Sequence, residues 1–238
     1  MSGPPGADLL GRRREEVLSR IARAAGRAGR NPSDVSLLAV TKGHPEELVR
    51  RAARAGFALF GENRVAEGAR KIEAVRAEFP GLVWRLIGPL QTNKAKAALQ
   101  WFSAIETVDR ERLAARIEGI LAAEGRRMPV LLEVNVGGEV TKTGTPPERA
   151  EDLARAALAC RHLDVRGFMT VPPFDPDPEG ARRFFRQLRE TRDRVQDALG
   201  LPLPELSMGM SHDFEVAVEE GSTEVRLGTA LFGERAAG

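Results

Sequence analysis

A chain of 238 residues that is 42% hydrophobic and 29% charged has enough apolar mass for one well-buried core, which fits a single α/β barrel or two small domains. A formal net charge of +2, with basic residues interleaved with acids as in "RRREEVLSR", gives no patch for nucleic acid, and no apolar run approaches the roughly 20 residues that span a bilayer. The opening "MSGPPGADLL" lacks the basic-then-apolar layout of a secretory signal, so a cytoplasmic protein with neither nucleic-acid nor membrane partners is expected.

The first eight or so residues read as a flexible lead into an extra N-terminal helix near 8–26. Short apolar runs then alternate with longer amphipathic segments. Strands are predicted at "VSLLAV", "ALFG", "VWRLIG", "FSAIETV", "PVLLEVNV", "DVRGFMTV", "PELSM" and "TEVRLG". Helices fall between them at about 45–55, 63–78, 93–99, 109–124, 147–160, 179–199 and 213–220, with start signals at Pro45, Asp109 and Pro147. The runs are rich in Val, Ile and Leu without clean alternation, as in a parallel sheet buried on both faces. Eight such strands with crossovers favour a closed (β/α)8 barrel of the TIM type, with an open doubly wound sheet as the alternative. Residues 1–238 read as one domain: "VPPFDPDPEG" and "VNVGGEVTKTGTPPE" are long rim loops rather than linkers. The only cysteine, Cys160, sits in a helical pattern as a small buried residue, and no metal-ligand spacing is evident.

In such a barrel the loops after the strands share one face. Lys42 follows the first strand in "LLAVTKGHP"; it is either a solvated charge or a nucleophilic amine at the rim. It is one of only five lysines, the others being Lys71, Lys94, Lys96 and Lys142. Asn63 follows the second strand, "SMGMSHD" the seventh and "RLGTALFG" the eighth. Ser207, Gly209, Ser211, Gly228 and Thr229 offer hydroxyls and approachable backbone N–H groups where barrels commonly hold phosphate, although small residues also simply permit tight turns. Arg226 interrupts "EVRLG". With Val225 and Leu227 toward the helices, it points into the barrel and must meet a ligand or an acid such as Glu133. An amine, an anion cradle and an inward arginine suit a phosphorylated aldehyde, pyridoxal 5′-phosphate (PLP) being the obvious one. A lysine-imine aldolase acting on a phosphorylated sugar fits the same three features.

From about residue 35 onward the chain resembles the pyridoxal phosphate homeostasis protein family. The resemblance rests on "LLAVTKGHP", "FGENRVAEG", "WRLIGPLQTNK", "EVNVGGEVTKTG", "VRGFMTVPP" and "LSMGMSHDFEVAVEEGSTEVRLGTALFGER". It implies a fold-type III PLP barrel similar to the N-terminal domain of alanine racemase, with the cofactor held as a Schiff base on Lys42. It further implies Arg226 at the pyridine nitrogen and a phosphate cradle of Ser207, Ser211, Gly228 and Thr229. Asn63 is then a cofactor contact, with a helix N-cap as its other reading. The chain departs from the family in Thr41, where serine is usual, in His44, where lysine is frequent, and in His212, where a small or acidic residue is common. His44 reads as a rim or capping residue and His212 as an exposed loop residue. The implied role is a carrier and regulator in intracellular PLP homeostasis without substantial turnover. Its partners would be PLP and apo PLP enzymes as recipients, and its state a monomer or weak homodimer. The competing reading is an amino-acid racemase, which needs a second base: the related enzymes use a tyrosine from an additional C-terminal domain. This chain has no tyrosine and ends soon after its last strand.

Overall fold

The Val/Ile/Leu-rich runs and the amphipathic segments between them form a closed ring of strands inside a ring of helices in the computed structural model, which describes residues 6–234. Helix α1 (Ala7–Arg27) precedes the barrel, burying Leu10, Val17, Ile21, Ala24 and Ala25 on one face against the helices that flank the first and last strands. The repeat then runs β1 (Ser36–Val40), α2 (Glu46–Arg54), β2 (Leu59–Glu62), α3 (Val65–Val75), β3 (Val83–Leu86), α4 (Ala95–Trp101), β4 (Ala104–Val108) and α5 (Glu111–Glu124). It continues with β5 (Met128–Glu133), α6 (Ala150–Leu158), β6 (Leu163–Met169), α7 (Arg182–Leu199), β7 (Glu205–Ser207), α8 (Phe214–Glu219), β8 (Glu224–Leu227) and the short α9 (Thr229–Phe232).

Every strand pairs in parallel with its sequence neighbour, and β1 pairs with β8 in the register Leu38↔Arg226, which closes the ring and excludes the open sheet. Part of the expected flexible lead, residues 1–5, lies outside the described residues; Ala7 and Asp8 are already helical, with Asp8 placed to complement the positive end of α1. The Asp109 start signal is off by one residue: Arg110 occupies the cap of α5, and Asp109 pairs with it.

The core has two parts of opposite character. Between strands and helices lies a shell that includes Phe60 stacked on Trp84 at 5.1 Å, Ile105, Leu132, Val225 and Leu227. Full burial of such side chains contributes about 1.5–3 kcal/mol each. Cys160 packs half-buried against this shell, and burial pushes its thiol pKa up. The lumen holds a small apolar cluster of Leu38, Val40 and Ile87 on one side. On the other side it is charged: Arg85 Nη1 lies 3.4 Å from Glu106, 3.0 Å from Glu205 and 3.2 Å from Glu224.

Candidate functional site

The strand ends open onto a cleft of about 330 Å³ lined by Lys42, Asn63, Arg226, Ser211, Gly228 and Thr229, with Val40 and Ile87 forming an apolar wall. It adjoins a compartment of about 290 Å³ that shares Asn63, Ile87 and Val171 and reaches Glu133 and Lys142. Six of the seven sequence-derived site residues therefore meet at one place; Ser207 does not.

Lys42 is half-buried at the end of β1, on a turn that Gly43 makes at φ +75° and that the His44 N–H closes by donating to the Thr41 carbonyl at 3.0 Å. The His44 ring packs edge-on against Phe232, centroids 5.6 Å apart. Asn63 is not the cap of α3. That position belongs to Arg64, and the Asn63 side-chain oxygen is buried without a hydrogen-bond partner. The third loop presses on the same residue: a methyl group on Gly88 would lie 2.2 Å from the Asn63 carbonyl oxygen, so only glycine fits.

Arg226 points into the barrel, as strand alternation requires, and is 4% exposed. Its Nη2 donates to the Thr170 carbonyl and its Nη1 to Ser207 Oγ, both at 2.6 Å. The expected acid, Glu133, is not its ion-pair partner: Glu133 instead accepts from Thr143 Oγ1 at 2.8 Å, and burial pushes its pKa up. Ser207, expected as a phosphate contact, is not among the residues that line the cleft. Ser207 is the last residue of β7, fully buried, and its hydroxyl donates to Glu106 Oε2 at 2.6 Å beneath the cleft. Ser207 Oγ also lies 3.1 Å from Glu224 Oε1. The Glu224 pKa is raised by burial and by the neighbouring Glu106.

Past β8 the chain turns at once into α9, and the N–H groups of Gly228 and Ala230 converge on Ser211 Oγ at 3.3 and 3.1 Å. The exposed side chain of Thr229 stands beside them. Gly209, at φ +97°, forms the turn that brings Ser211 across. His212 is exposed on the cleft wall, its Nε2 3.0 Å from the Pro176 carbonyl oxygen.

One group of residues was not anticipated. Lys71 on α3 is fully buried and donates to the Thr41 carbonyl at 2.6 Å and to Glu62 Oε1 and Glu67 Oε1 at 2.7 Å each. Burial pushes the Glu62 pKa up despite the ammonium. Glu67 is also partly desolvated, but its bonds from Lys71 and from the Gly43 N–H outweigh that and hold its pKa down. Helical spacing carried the signal: Lys71 shares a face with the buried Gly68, Ile72 and Val75. No cluster of three or more His, Cys, Asp or Glu suited to a metal occurs among the described residues. No helix there is long and apolar enough to cross a membrane.

A closed parallel barrel with a lysine after the first strand and an inward arginine on the last is the architecture of fold-type III PLP barrels, and residues 15–236 match the family described as alanine racemase, N-terminal domain. The pyridoxal phosphate homeostasis protein of Aquifex aeolicus is 46% identical over 94% of this chain and 97% of its own length, and that of Escherichia coli is 38% identical over 92% and 94%. The chain belongs to the pyridoxal phosphate homeostasis protein family. The solved structure of PipY from Synechococcus elongatus with PLP bound superposes with a TM-score of 0.79 at 36% identity, covering 90% of this chain and all (100%) of that one. An alanine racemase from Clostridium difficile shares the fold, with a TM-score of 0.72 at 16% identity.

Proposed function

We propose that this chain binds PLP in the cleft at the C-terminal ends of its strands, linked to Lys42 as a Schiff base, and serves as a carrier and regulator of the cofactor without substantial turnover. The observation that carries the reading is the meeting of Lys42, Arg226 and the Gly228–Ala230 N–H groups around one cleft of about 330 Å³. The names of the homeostasis relatives and the PLP-bound PipY support it.

The residues fit the group. The buried Asn63 oxygen lacks a donor, and the Gly228 and Ala230 N–H groups already turn toward an oxygen acceptor. When bound, the cofactor supplies an aldehyde for amine condensation and an electron-withdrawing ring. Arg226, held on two sides and permanently charged, presents a donor that never yields its proton to a ring nitrogen, which weakens the ring as an electron sink. Ser211, Gly228 and Thr229 supply the donors for the phosphate, and Val40 and Ile87 exclude water from one side. Ser207 acts through Arg226 rather than on the ligand. The 238 residues contain no tyrosine to act as a racemase's second base.

Borohydride reduction of the PLP-incubated chain followed by peptide mass spectrometry is expected to place the adduct on Lys42. An adduct confined to another lysine, or none at all, would overturn the binding proposal. Incubation with single amino-acid enantiomers is expected to leave their optical activity unchanged, and its loss at an ordinary enzymatic rate would overturn the carrier reading.

A further inference from the structure

Resting on that reading of Lys42, we propose that Lys71, together with Glu67 and Glu62, is a positioning residue that clamps the main chain on both sides of Lys42 and thereby aims its amine into the cleft. The geometry is specific to the two flanking residues. On the N-terminal side the Lys71 ammonium donates to the Thr41 carbonyl at 2.6 Å, while Thr41 Oγ1 donates to Glu62 Oε1 at 2.6 Å. On the C-terminal side the Gly43 N–H donates to Glu67 Oε1 at 2.6 Å, the same oxygen that accepts from Lys71. One ammonium thus fixes residue 41 directly and residue 43 through a carboxylate. All of its donors are used: an ammonium has three, and the carbonyl and two carboxylates take them.

Packing alone does not call for a lysine at this position. The neighbours of Lys71 on the same helical face, Gly68, Ile72 and Val75, are buried apolar residues or glycine. An apolar side chain of similar length would fill the space, and replacing a buried ion pair by well-packed hydrophobic groups is often neutral or stabilising. Glu62 makes the arrangement costlier still, since its Oε2 is buried without a hydrogen-bond partner. What an apolar replacement could not do is hold a carbonyl and, through Glu67, an N–H one residue either side of the reacting lysine. Small displacements of a reacting group cost large factors in rate, which gives the clamp its use.

The test uses Lys71→Met, which keeps volume, and Glu67→Gln at the partly exposed end of the triad, which preserves the fold if the first variant does not. Two readouts are taken. In the ligand-free chain, amide exchange of residues 41–44 is expected to accelerate at least 10-fold in Lys71→Met and severalfold in Glu67→Gln, whose neutral oxygen is a weaker acceptor for the Gly43 N–H, while exchange in β5 and β6 stays at the wild-type rate. In PLP-titrated protein, the rate of imine-band growth is expected to fall on the order of 10- to 100-fold in Lys71→Met and less in Glu67→Gln, with a displaced pH midpoint of the band. A merely structural role would lower the melting temperature without moving that midpoint. Variants with wild-type exchange at 41–44, imine rate and pH midpoint would overturn the clamp. A wild-type chain that never forms a Lys42 adduct would overturn the reading of the cleft instead.

Discussion

Two buried charge networks lie under the cleft, and they end differently. Between the barrel and α3, Lys71 joins Glu62 and Glu67 and terminates on main-chain atoms of Thr41 and Gly43. In the lumen, Arg85 joins Glu106, Glu205 and Glu224, and the network terminates on a side chain, Ser207, which holds Arg226. The first cation is fully buried; the second is 20% exposed. A main-chain anchor suits the reaction proposed for the flexible side chain of Lys42, whereas a planar guanidinium needs only its fork held. The contrast also explains a lumen that departs from the usual filling of branched aliphatics, with Leu38, Val40 and Ile87 covering only one side.

The comparison is broken most severely at its centre. Lys42→Ala is expected to abolish the imine band of PLP-titrated protein entirely while leaving the fold intact; absorbance and circular dichroism check this. Next comes the helix-side network. Lys71→Ala leaves Glu62 and Glu67 without their cation and is expected to cost about 3–5 kcal/mol in urea unfolding, as for a broken buried pair. The lumen network should prove softer: Ser207→Ala removes one hydroxyl from between Arg226 and Glu106, for about 1–3 kcal/mol by the same measurement. It should weaken PLP binding severalfold in fluorescence titration but leave the adduct on Lys42, in contrast to the loss at position 42.

The smallest effect sharpens the comparison through pH. Glu224 has its pKa raised by burial, then by Glu106, so the folded chain binds a proton there that the unfolded chain releases near the ordinary value of 4.5. Its contribution to stability therefore falls as pH rises above that value toward the raised pKa. In Glu224→Gln this component is absent, so the penalty of the substitution should shrink as pH rises, read from melting temperatures across the range. A penalty that grows with pH would mean that Glu224 is ionised in the fold.

Much of this could be read from the chain. The barrel followed from eight Val/Ile/Leu-rich runs and their crossovers, Lys42 from its place after the first run, and Arg226 from alternation between Val225 and Leu227, both of which do pack in the outer shell. What escaped depended on depth rather than order. β7 is three residues long, too short to show alternation, so nothing in "SMGMS" told whether Ser207 stood above the strand end or within it. Asn63 was ambiguous because α3 starts at Val65 rather than two residues earlier. The Lys71 clamp was visible in principle as a lysine on an apolar helical stripe, but its partners come from the end of β2 and the turn after β1, and only tertiary packing brings them together.

The seam of the barrel carries a further consequence. Because Leu38 stands in register with Arg226, the amine and the guanidinium belong to the first and last staves, and everything between must be laid before they meet. Pairings of such long sequence separation form late and slowly. During synthesis the lysine emerges early but has no pocket to face until the closing strand docks, so the cleft that Lys42 and Arg226 share exists only in the finished barrel.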